Sequence, residues 1–319
     1  MGSLVRAIEN AATAIAPMVR ETPVEQALWL SPESGCEVFF KLENMQITGS
    51  FKVRGAFNKV RLLAPSQRKQ GVIAASSGNH GLAVAYAARQ LDGSAQIFVP
   101  DYADRSKVRA IERMGAQVVV HGDDCVITEA YARSVAEEQG KVYISPYNDL
   151  DVVAGQGTLA VELARQLPEV DALFVSVGGG GLISGMGAYY KAHFPHVEIV
   201  AVSPAQSPAV HRCLEAGRII DVPCYPTLSD ATAGGVEPGS VTFELCRAVI
   251  DRMLLVDERS IADALRTCIG EHHILIEGAA ALAIAGFQQI APEYAGKRVA
   301  VIICGANIGL DKLNAVLGN

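Results

Sequence analysis

ALFVSVGGGGLISGMGAYYKAHF, residues 172–194, is the stretch that decides the fold. It begins as an apolar, β-branched strand pattern (172–178), runs through four consecutive glycines (Gly178–Gly181) and continues with apolar residues at helical spacing. A strand that passes through a short glycine turn into a helix is typical of a βα unit in a parallel sheet. The stretch therefore predicts an α/β fold.

The same alternation of strand and helix patterns extends from about residue 37 to the end of the chain, as expected for parallel strands joined by crossover helices. Apolar residues at helical spacing also continue through 260–287, where we expect the adjacent His272 and His273 to point to different faces of a helix. An amphipathic helix is predicted at the N-terminus. Strands are predicted at 37–43, 71–76, 95–100, 117–121, 172–178, 198–203 and 298–305.

Composition restricts the class of partner. The 319 residues carry a net charge of −7, and Lys and Arg are scattered instead of clustered, which argues against nucleic-acid and anionic membrane surfaces. No apolar run reaches the ~18 residues that span a bilayer. The seven cysteines include no CxxC pair, which fits a reducing cytoplasm. We expect a cytoplasmic globular protein with a small ligand and no nucleic-acid or membrane partner.

The four glycines 178–181 leave a loop without side chains, whose backbone can wrap an oxyanion such as a phosphate. A dinucleotide site is the rival interpretation. Its G-x-G-x-x-G spacing is missing, because Gly179, Gly181 and Gly185 are one residue too long, and Ser203 stands where an acidic ribose ligand is expected. A purely structural glycine run is the third interpretation.

ITGSFKVRGAFNKV (47–60) places Lys52 at the start of a predicted helix. The positive end of the helix dipole and the adjacent Arg54 both disfavour an ammonium group, so the pKa of Lys52 should be lowered. A neutral amine is what Schiff-base chemistry requires. On these residues alone, a solvated lysine near a helix N-terminus is equally compatible.

Two further segments carry polar groups at the carboxyl ends of predicted strands. Residues Ser76 to Gly81 (SSGNHG) form a small-residue turn into a helix, where backbone N–H groups and Asn79 can receive a carboxylate or phosphate. Cys304 ends the last strand in VIICGANIGLDKL (301–313), at the edge where ligands bind in open α/β sheets. A tight βα turn and a buried structural cysteine are the respective alternatives.

Together, in this order and spacing, these segments resemble the fold-type II (tryptophan synthase β-like) pyridoxal 5′-phosphate (PLP) enzymes, specifically the serine/threonine dehydratase and serine racemase group. The resemblance covers nearly the whole chain. It implies two open twisted α/β domains with the cofactor in the cleft between them. Residues 1–49 and 150–319 would form a large PLP-binding domain, and 50–149 a small domain that carries the SSGNHG loop. The matching stretches are GSFKVRGA, SSGNHG, VAGQGT (153–158), SVGGGG, IEGAAA (276–281) and CGAN.

The resemblance also implies a role for individual residues. Lys52 would be the Schiff-base lysine and the Cα base, Phe51 would flank the cofactor ring, and Asn79 would bind the 3′-oxygen. Cys304 would contact the pyridine nitrogen. The remaining roles fall to short segments: Gly178, Gly179, Gly180 and Gly181 hold the phosphate, Ser76, Ser77, Asn79 and His80 receive the substrate carboxylate, and Gly235 and Glu277 line the pocket.

A thiol at the pyridine nitrogen has a chemical consequence. With a reference pKa of about 8.5, a neutral thiol does not keep the nitrogen protonated as a carboxylate would. The ring is then a weaker electron sink, which favours β-elimination over transamination.

Three departures from the commonest patterns affect the expected specificity. Ser77 stands where many threonine dehydratases carry Ala and serine racemases carry Ser, a residue that protonates the opposite face of the substrate. Ser203 and Ala209 replace the acidic residues that bind a divalent cation in racemase-like relatives, so no metal site is expected there. Ala233-Gly234-Gly235 replaces an Ala-Asp-Gly of the substrate pocket.

The predicted function is a PLP-dependent ammonia-lyase that dehydrates L-threonine, L-serine or a related β-hydroxy amino acid. A serine or hydroxyaspartate racemase, which could be bifunctional, is the first alternative, with Lys52 and Ser77 as two opposed acid/base groups. A catalytically silent PLP-binding protein is the second. Relatives are commonly homodimers, so the resemblance also implies a homodimer.

Overall fold

A computed structural model describes residues 1–318 and contains two sheets. The larger has six strands in the order β1-β2-β10-β7-β8-β9, all parallel except β1, which runs antiparallel to β2. Its strands are β1 (Val24–Gln26), β2 (Glu37–Leu42), β7 (Ala172–Ser176), β8 (Glu198–Pro204), β9 (Arg252–Val256) and β10 (Arg298–Ile303). The α-helices outside residues 50–149 are α1 (Gly2–Ile15), α2 (Leu30–Ser34), α8 (Leu150–Gln166), α9 (Gly181–His193), α10 (Ala209–Glu215), α11 (Val241–Val249), α12 (Glu258–Thr267), α13 (Gly278–Ile290) and α14 (Leu310–Leu317).

The smaller sheet has four parallel strands in the order β5-β4-β3-β6. All four lie within residues 50–149, the range predicted for a small domain; the domain boundaries themselves stay a prediction. The strands are β3 (Val72–Ala75), β4 (Ala95–Val99), β5 (Gln117–Val120) and β6 (Val142–Tyr143). The helices of this range are α3 (Lys52–Leu62), α4 (Pro65–Gln70), α5 (Asn79–Gln90), α6 (Arg105–Arg113) and α7 (Cys125–Glu138).

The core of the larger sheet explains its parallel strands. Every residue of β7 is buried, as is every residue of β10 after Arg298, because helices cover both faces of the sheet. Phe174 of β7 packs edge-to-face against Phe287 and Tyr294, with ring centroids 5.3 Å apart in both pairs. A separate apolar core lies around β3, β4 and α5.

The loops named by the sequence follow the carboxyl ends of strands in both sheets. The SSGNHG turn follows β3, the glycine loop (Gly178–Gly181) follows β7, and Cys304 follows β10. The two sheets are joined where the Phe51 N–H, just before α3, donates to the Cys304 carbonyl at 3.1 Å. This connection brings the start of α3 to the edge of the larger sheet.

Each predicted strand is present, but the prediction missed β1, β6 and β9. Continuous helical spacing over 260–287 is wrong, and so is the expectation that His272 and His273 lie together within one helix. After α12 the chain forms a π-helix (Cys268–His272), His273 adopts a left-handed conformation (φ 59°), and α13 begins at Gly278. The interruption has a tertiary cause, because the Glu277 N–H donates to the Gly305 carbonyl at 3.0 Å instead of continuing a helix. Within residues 1–318, no helix combines the length and apolarity that crossing a bilayer requires.

Candidate active site

Lys52 begins α3 in half-buried surroundings. Its Nζ donates to the Pro146 carbonyl at 3.2 Å and lies 5.2 Å from the centre of the Phe51 ring. Burial lowers the pKa of Lys52 to about 8, and the negative charge that Cys304 and Glu277 can carry acts in the opposite direction. The predicted lowering is therefore confirmed.

The predicted contribution of Arg54 to that shift is wrong. The Arg54 guanidinium is fully buried and bonds to the carboxylates of Glu43 and Glu162 at 2.7 to 2.8 Å. Those ion pairs neutralise its charge away from Lys52, and burial of the Lys52 amine is the main cause of its lowered pKa.

Asn79, Glu277 and Asn307 form a buried hydrogen-bond network. The Asn79 Nδ2 donates to both carboxylate oxygens of Glu277, at 2.8 and 3.0 Å, and its Oδ1 accepts from the Asn307 Nδ2 at 2.6 Å. The Asn307 backbone N–H donates to Glu277 at 3.0 Å. Burial raises the pKa of Glu277 to about 7, although the amide of Asn79 opposes the shift. Asn307 was missed as a site residue; its signal was its place in the CGAN stretch.

Cys304 is buried at the end of β10. Burial and the carboxylate of Glu277 raise the pKa of its thiol well above the ordinary value. The group is therefore a neutral thiol at neutral pH, as the sequence-based argument about the cofactor ring assumed.

The glycine loop is packed so closely that it has no room for side chains. A Cβ at Gly178 would lie 2.9 Å from the Thr232 Cα, and one at Gly179 would overlap the Tyr147 ring. Gly180 has φ +84°, and a Cβ there would lie 2.6 Å from the Cys246 Sγ. Because α9 begins at Gly181, the unpaired N–H groups of its first turn lie at this loop. A bare loop at a helix N-terminus is suited to a phosphate.

One cavity of about 470 Å³ collects most of the predicted residues. Lys52, Cys304, Glu277 and the glycine loop approach it from different elements of both sheets. The predicted residues that line it are Phe51, Lys52, Asn79, Gly178, Gly179, Gly180, Gly181, Glu277 and Cys304. The lining residues that the sequence did not indicate are Tyr147, Ser176, Leu182, Ile183, Ala231, Thr232 and Ala279.

The other residues of the SSGNHG turn lie beside this cavity. Ser76 and Ser77 are half-buried, and the Ser76 Oγ accepts from the Gly78 N–H at 3.2 Å. The His80 Nε2 lies 2.8 Å from the Ile144 carbonyl. Burial and the charge of Lys52 lower the pKa of His80 to about 3, so its ring is neutral. The Asn79 side chain is thus the member of this turn that reaches the cavity.

Gly235 is the predicted residue that the structure does not bring to the cavity. It is exposed, and Ala231 and Thr232, a few residues earlier in the same loop, line the cavity instead. Residues 1–318 contain no group of three or more His, Cys, Asp or Glu side chains that could hold a metal ion.

Comparison with known proteins identifies the family. A sequence profile described as "Pyridoxal-phosphate dependent enzyme" matches residues 15–305. The chain belongs to this family. The cavity fits the cofactor, because a lysine amine with a lowered pKa faces the same space as a side-chain-free loop suited to phosphate. Both the resemblance and the PLP dependence inferred from the sequence are confirmed.

Curated relatives of this PLP-dependent enzyme include threonine-degrading enzymes. It is 38% identical to the L-threonine ammonia-lyase of Thermotoga maritima over 97% of this chain and 77% of that protein. It is 36% identical to a threonine dehydratase of Nicotiana attenuata and spans 52% of that longer protein.

Solved structures show the same fold in enzymes of two activities. The processed form of threonine deaminase isoform 2 from Solanum lycopersicum has a TM-score of 0.93 at 32% identity, covering 98% of this chain and 92% of that chain. Maize serine racemase has a TM-score of 0.91 at 33% identity, covering 98% and 96%. The predicted α/β fold of a fold-type II PLP enzyme is confirmed.

Proposed function

We propose that this PLP-dependent enzyme is a cytoplasmic ammonia-lyase that converts L-threonine, L-serine or a related β-hydroxy amino acid into a 2-keto acid and ammonia. The observation that carries the proposal is the meeting of Lys52, the glycine loop and the neutral thiol of Cys304 in one cavity. The identity to the Thermotoga maritima L-threonine ammonia-lyase supports the choice of substrate.

Four parts of the cavity would hold the cofactor. Lys52 would attach it through Nζ, the glycine loop would bind its phosphate, and Asn79 and Cys304 would face its ring. When bound, the cofactor supplies an electron-withdrawing ring that makes the Cα–H bond of the substrate acidic. The roles of the protein residues follow from what surrounds them.

Lys52 is suited to remove the Cα proton. With a pKa of about 8, roughly a tenth of the free amine is neutral at pH 7, compared with less than a thousandth for an ordinary lysine. The Pro146 carbonyl accepts a hydrogen bond from Nζ and so orients the amine. The amine is the proton acceptor of the reaction on one face of the substrate.

Cys304 would favour elimination. Its thiol is neutral because burial and Glu277 raise its pKa, so it cannot act as a negatively charged partner of the pyridine nitrogen. Weak electron withdrawal shortens the life of the carbanion, and loss of the β-hydroxyl then competes well with other outcomes. This chemistry supports a lyase over an aminotransferase.

A racemase is the second candidate, because Ser77 is a hydroxyl donor in the SSGNHG turn and maize serine racemase shares the fold. Lys52 and Ser77 would then exchange protons on opposite faces of Cα. The candidate predicts formation of the D-enantiomer and a strict dependence on the Ser77 hydroxyl.

The test incubates the PLP-loaded protein with L-serine, L-threonine or 3-hydroxyaspartate and measures keto acid, ammonia and the opposite enantiomer in the same samples. We expect keto acid and ammonia in equal amounts. The variant Ser77→Ala should keep elimination from the L-substrate and lose any racemisation. Inversion of the substrate without keto acid would overturn the lyase proposal and favour the racemase.

The remaining proposals concern organisation. We propose that residues 1–49 and 150–319 form one domain, that 50–149 form the second, and that the enzyme is a homodimer. The confinement of the smaller sheet to residues 72–143 supports the division. Light scattering on the eluted protein should give about twice the chain mass of 33.7 kDa.

A further inference from the structure

Tyr147 lies at the junction of the two sheets, in the segment between β6 and α8, and lines the cavity. Its ring covers the glycine loop. A Cβ at Gly179 would overlap this ring, and a Cβ at Gly181 would come within 3.1 Å of the Tyr147 Cβ. The ring therefore occupies the space that side chains at these two glycines would need.

The phenol of Tyr147 is tied to the loop that precedes α11. Its oxygen accepts a hydrogen bond from the Glu237 N–H at 3.0 Å. The neighbouring Asn148 adds two contacts to the same loop: its Nδ2 donates to the Glu237 Oε2 at 2.8 Å, and its Oδ1 accepts from the Val241 N–H at 2.9 Å. Three hydrogen bonds thus connect Tyr147 and Asn148 to residues 237–241.

Glu237 is itself anchored to α7. Its Oε1 pairs with the Arg133 guanidinium at 2.8 Å, and that guanidinium lies 4.2 Å over the Tyr143 ring. Glu237 thereby connects α7, which packs on the smaller sheet, to the loop that contacts Tyr147.

The opposite side of the glycine loop is held by α11. The Thr242 Oγ1 donates to the Gly179 carbonyl at 2.6 Å, and the Cys246 Sγ occupies the space beside Gly180. Val241 and Thr242 are consecutive, so the chain that binds Asn148 also binds the glycine loop. Tyr147 and α11 enclose the glycine loop between them.

The Tyr147 phenol is also chemically stable in this place. Burial, followed by the charge of Glu237, raises the pKa of Tyr147 above its ordinary value. The phenol therefore stays neutral at any working pH and brings no negative charge toward a bound phosphate.

We infer that Tyr147 is a positioning residue for the cofactor phosphate: its ring holds the glycine loop in the shape that receives the phosphate, and Glu237 holds Tyr147 there. The inference rests on the proposed role of Gly178–Gly181 as the phosphate site. It does not depend on which amino acid the enzyme consumes.

The experiment compares PLP with pyridoxal, which lacks the phosphate, in equilibrium dialysis against the full-length protein freed of cofactor. Tyr147→Ala should raise the Kd for PLP about tenfold or more and leave the Kd for pyridoxal within about twofold, since only the phosphate uses the glycine loop. Tyr147→Phe keeps the ring and loses one hydrogen bond, so about a fivefold rise is expected for PLP. Tyr225→Ala, at an exposed tyrosine that does not line the cavity, should change neither Kd.

A second pair of variants tests the support of Tyr147. Glu237→Gln removes the charge that pairs with Arg133 and should weaken PLP binding about threefold or more, again with pyridoxal unaffected. Glu293→Gln is its matched control, because Glu293 pairs with Arg252 on the surface at 2.6 Å. Should Tyr147→Ala show no cooperative thermal transition, the Phe and Gln variants carry the same comparison.

Equal weakening of PLP and pyridoxal by the Tyr147 variants would overturn the inference, because it would show a general role in the cavity. Unchanged PLP binding would overturn it as well. If the unmodified protein bound PLP and pyridoxal equally, the glycine loop would not be the phosphate site and the inference would fail with it. A failed lyase assay, by contrast, leaves all of these binding results intact.

Discussion

Lys52 and Lys59 lie on the same helix, α3, and differ in their partners. The Lys59 Nζ pairs with Asp149 and Asp151 at 2.8 and 2.9 Å; burial disfavours its charge, but these carboxylates outweigh that effect and raise the pKa. Lys52 has only the Pro146 carbonyl as a hydrogen-bond acceptor, and burial lowers its pKa to about 8. The difference makes Lys59 a matched control for the reactive amine.

Lys52→Ala should abolish covalent retention of the cofactor and lower kcat by about 10²- to 10⁴-fold, the usual contribution of a proton-transferring side chain. Lys59→Ala should do neither. Borohydride treatment followed by peptide mass analysis measures retention, and keto-acid release measures kcat. Covalently retained PLP in Lys52→Ala would disprove the assignment of Lys52.

Glu277 sets the charge next to Lys52. Its carboxylate opposes the lowering of the Lys52 pKa, so Glu277→Gln should move that pKa below about 8. Capture of PLP by cofactor-free protein needs a neutral amine, and the acid side of the capture-rate profile should therefore shift to lower pH. Stopped-flow absorbance over a pH series measures the profile, with Glu293→Gln as the control. A shift to higher pH would contradict the electrostatic role of Glu277.

At the scale of elements, the sequence predicts what a local pattern can encode. β7 and β10 are recognisable because five or six apolar residues in a row show their type, whereas β1 and β6 have only three and two residues. The π-helix after α12 was not predictable, because apolar spacing continues through it. What ends the helix there is the contact of Glu277 with Gly305 from another strand.

The entry of α9 shows how one residue type fixes an element. Gly180→Ala would force an L-residue into φ +84° and place its Cβ 2.6 Å from the Cys246 Sγ. We expect a loss of about 2 to 4 kcal/mol of unfolding free energy, from strain and overlap together. Gly217→Ala has a similar φ of +66° with open space around it, so it should cost only about 1 kcal/mol. Urea unfolding of both variants measures the difference; equal losses would show that packing against Cys246 contributes nothing.

At the scale of the whole molecule, the cavity is made by loops from both sheets. The sequence could predict Lys52, Asn79, the glycine loop and Cys304 together, because each follows or adjoins a strand end or a helix start with a recognisable pattern. Tyr147 has no such pattern around it. Its place depends on packing against glycines more than thirty residues later, which emerges only when the two sheets are joined.

Two buried groups of this cavity region make the folding stability depend on pH in opposite directions. His80 has a pKa of about 3 in the folded protein against 6.5 ordinarily, so between these values only the unfolded chain binds the proton and stability rises with pH. Glu277 has a pKa of about 7 against 4.5, so between these values the folded protein binds the proton and stability falls as pH rises. From pH 4.5 to 6.5 the two effects oppose each other.

Removing either group from the cofactor-free protein should therefore expose the other. His80→Gln should make the slope of unfolding free energy against pH more negative, and Glu277→Gln should make it more positive, each by up to about 1.4 kcal/mol per pH unit. Urea unfolding at several pH values between 4.5 and 6.5 gives the slopes, which are independent of the loss that each substitution causes at all pH values. Slopes that change in the same direction would mean that one of the two groups keeps its ordinary pKa in the fold. His193→Gln, at a half-exposed histidine on α9, should leave the slope nearly unchanged, because solvent screens its contact with Glu9.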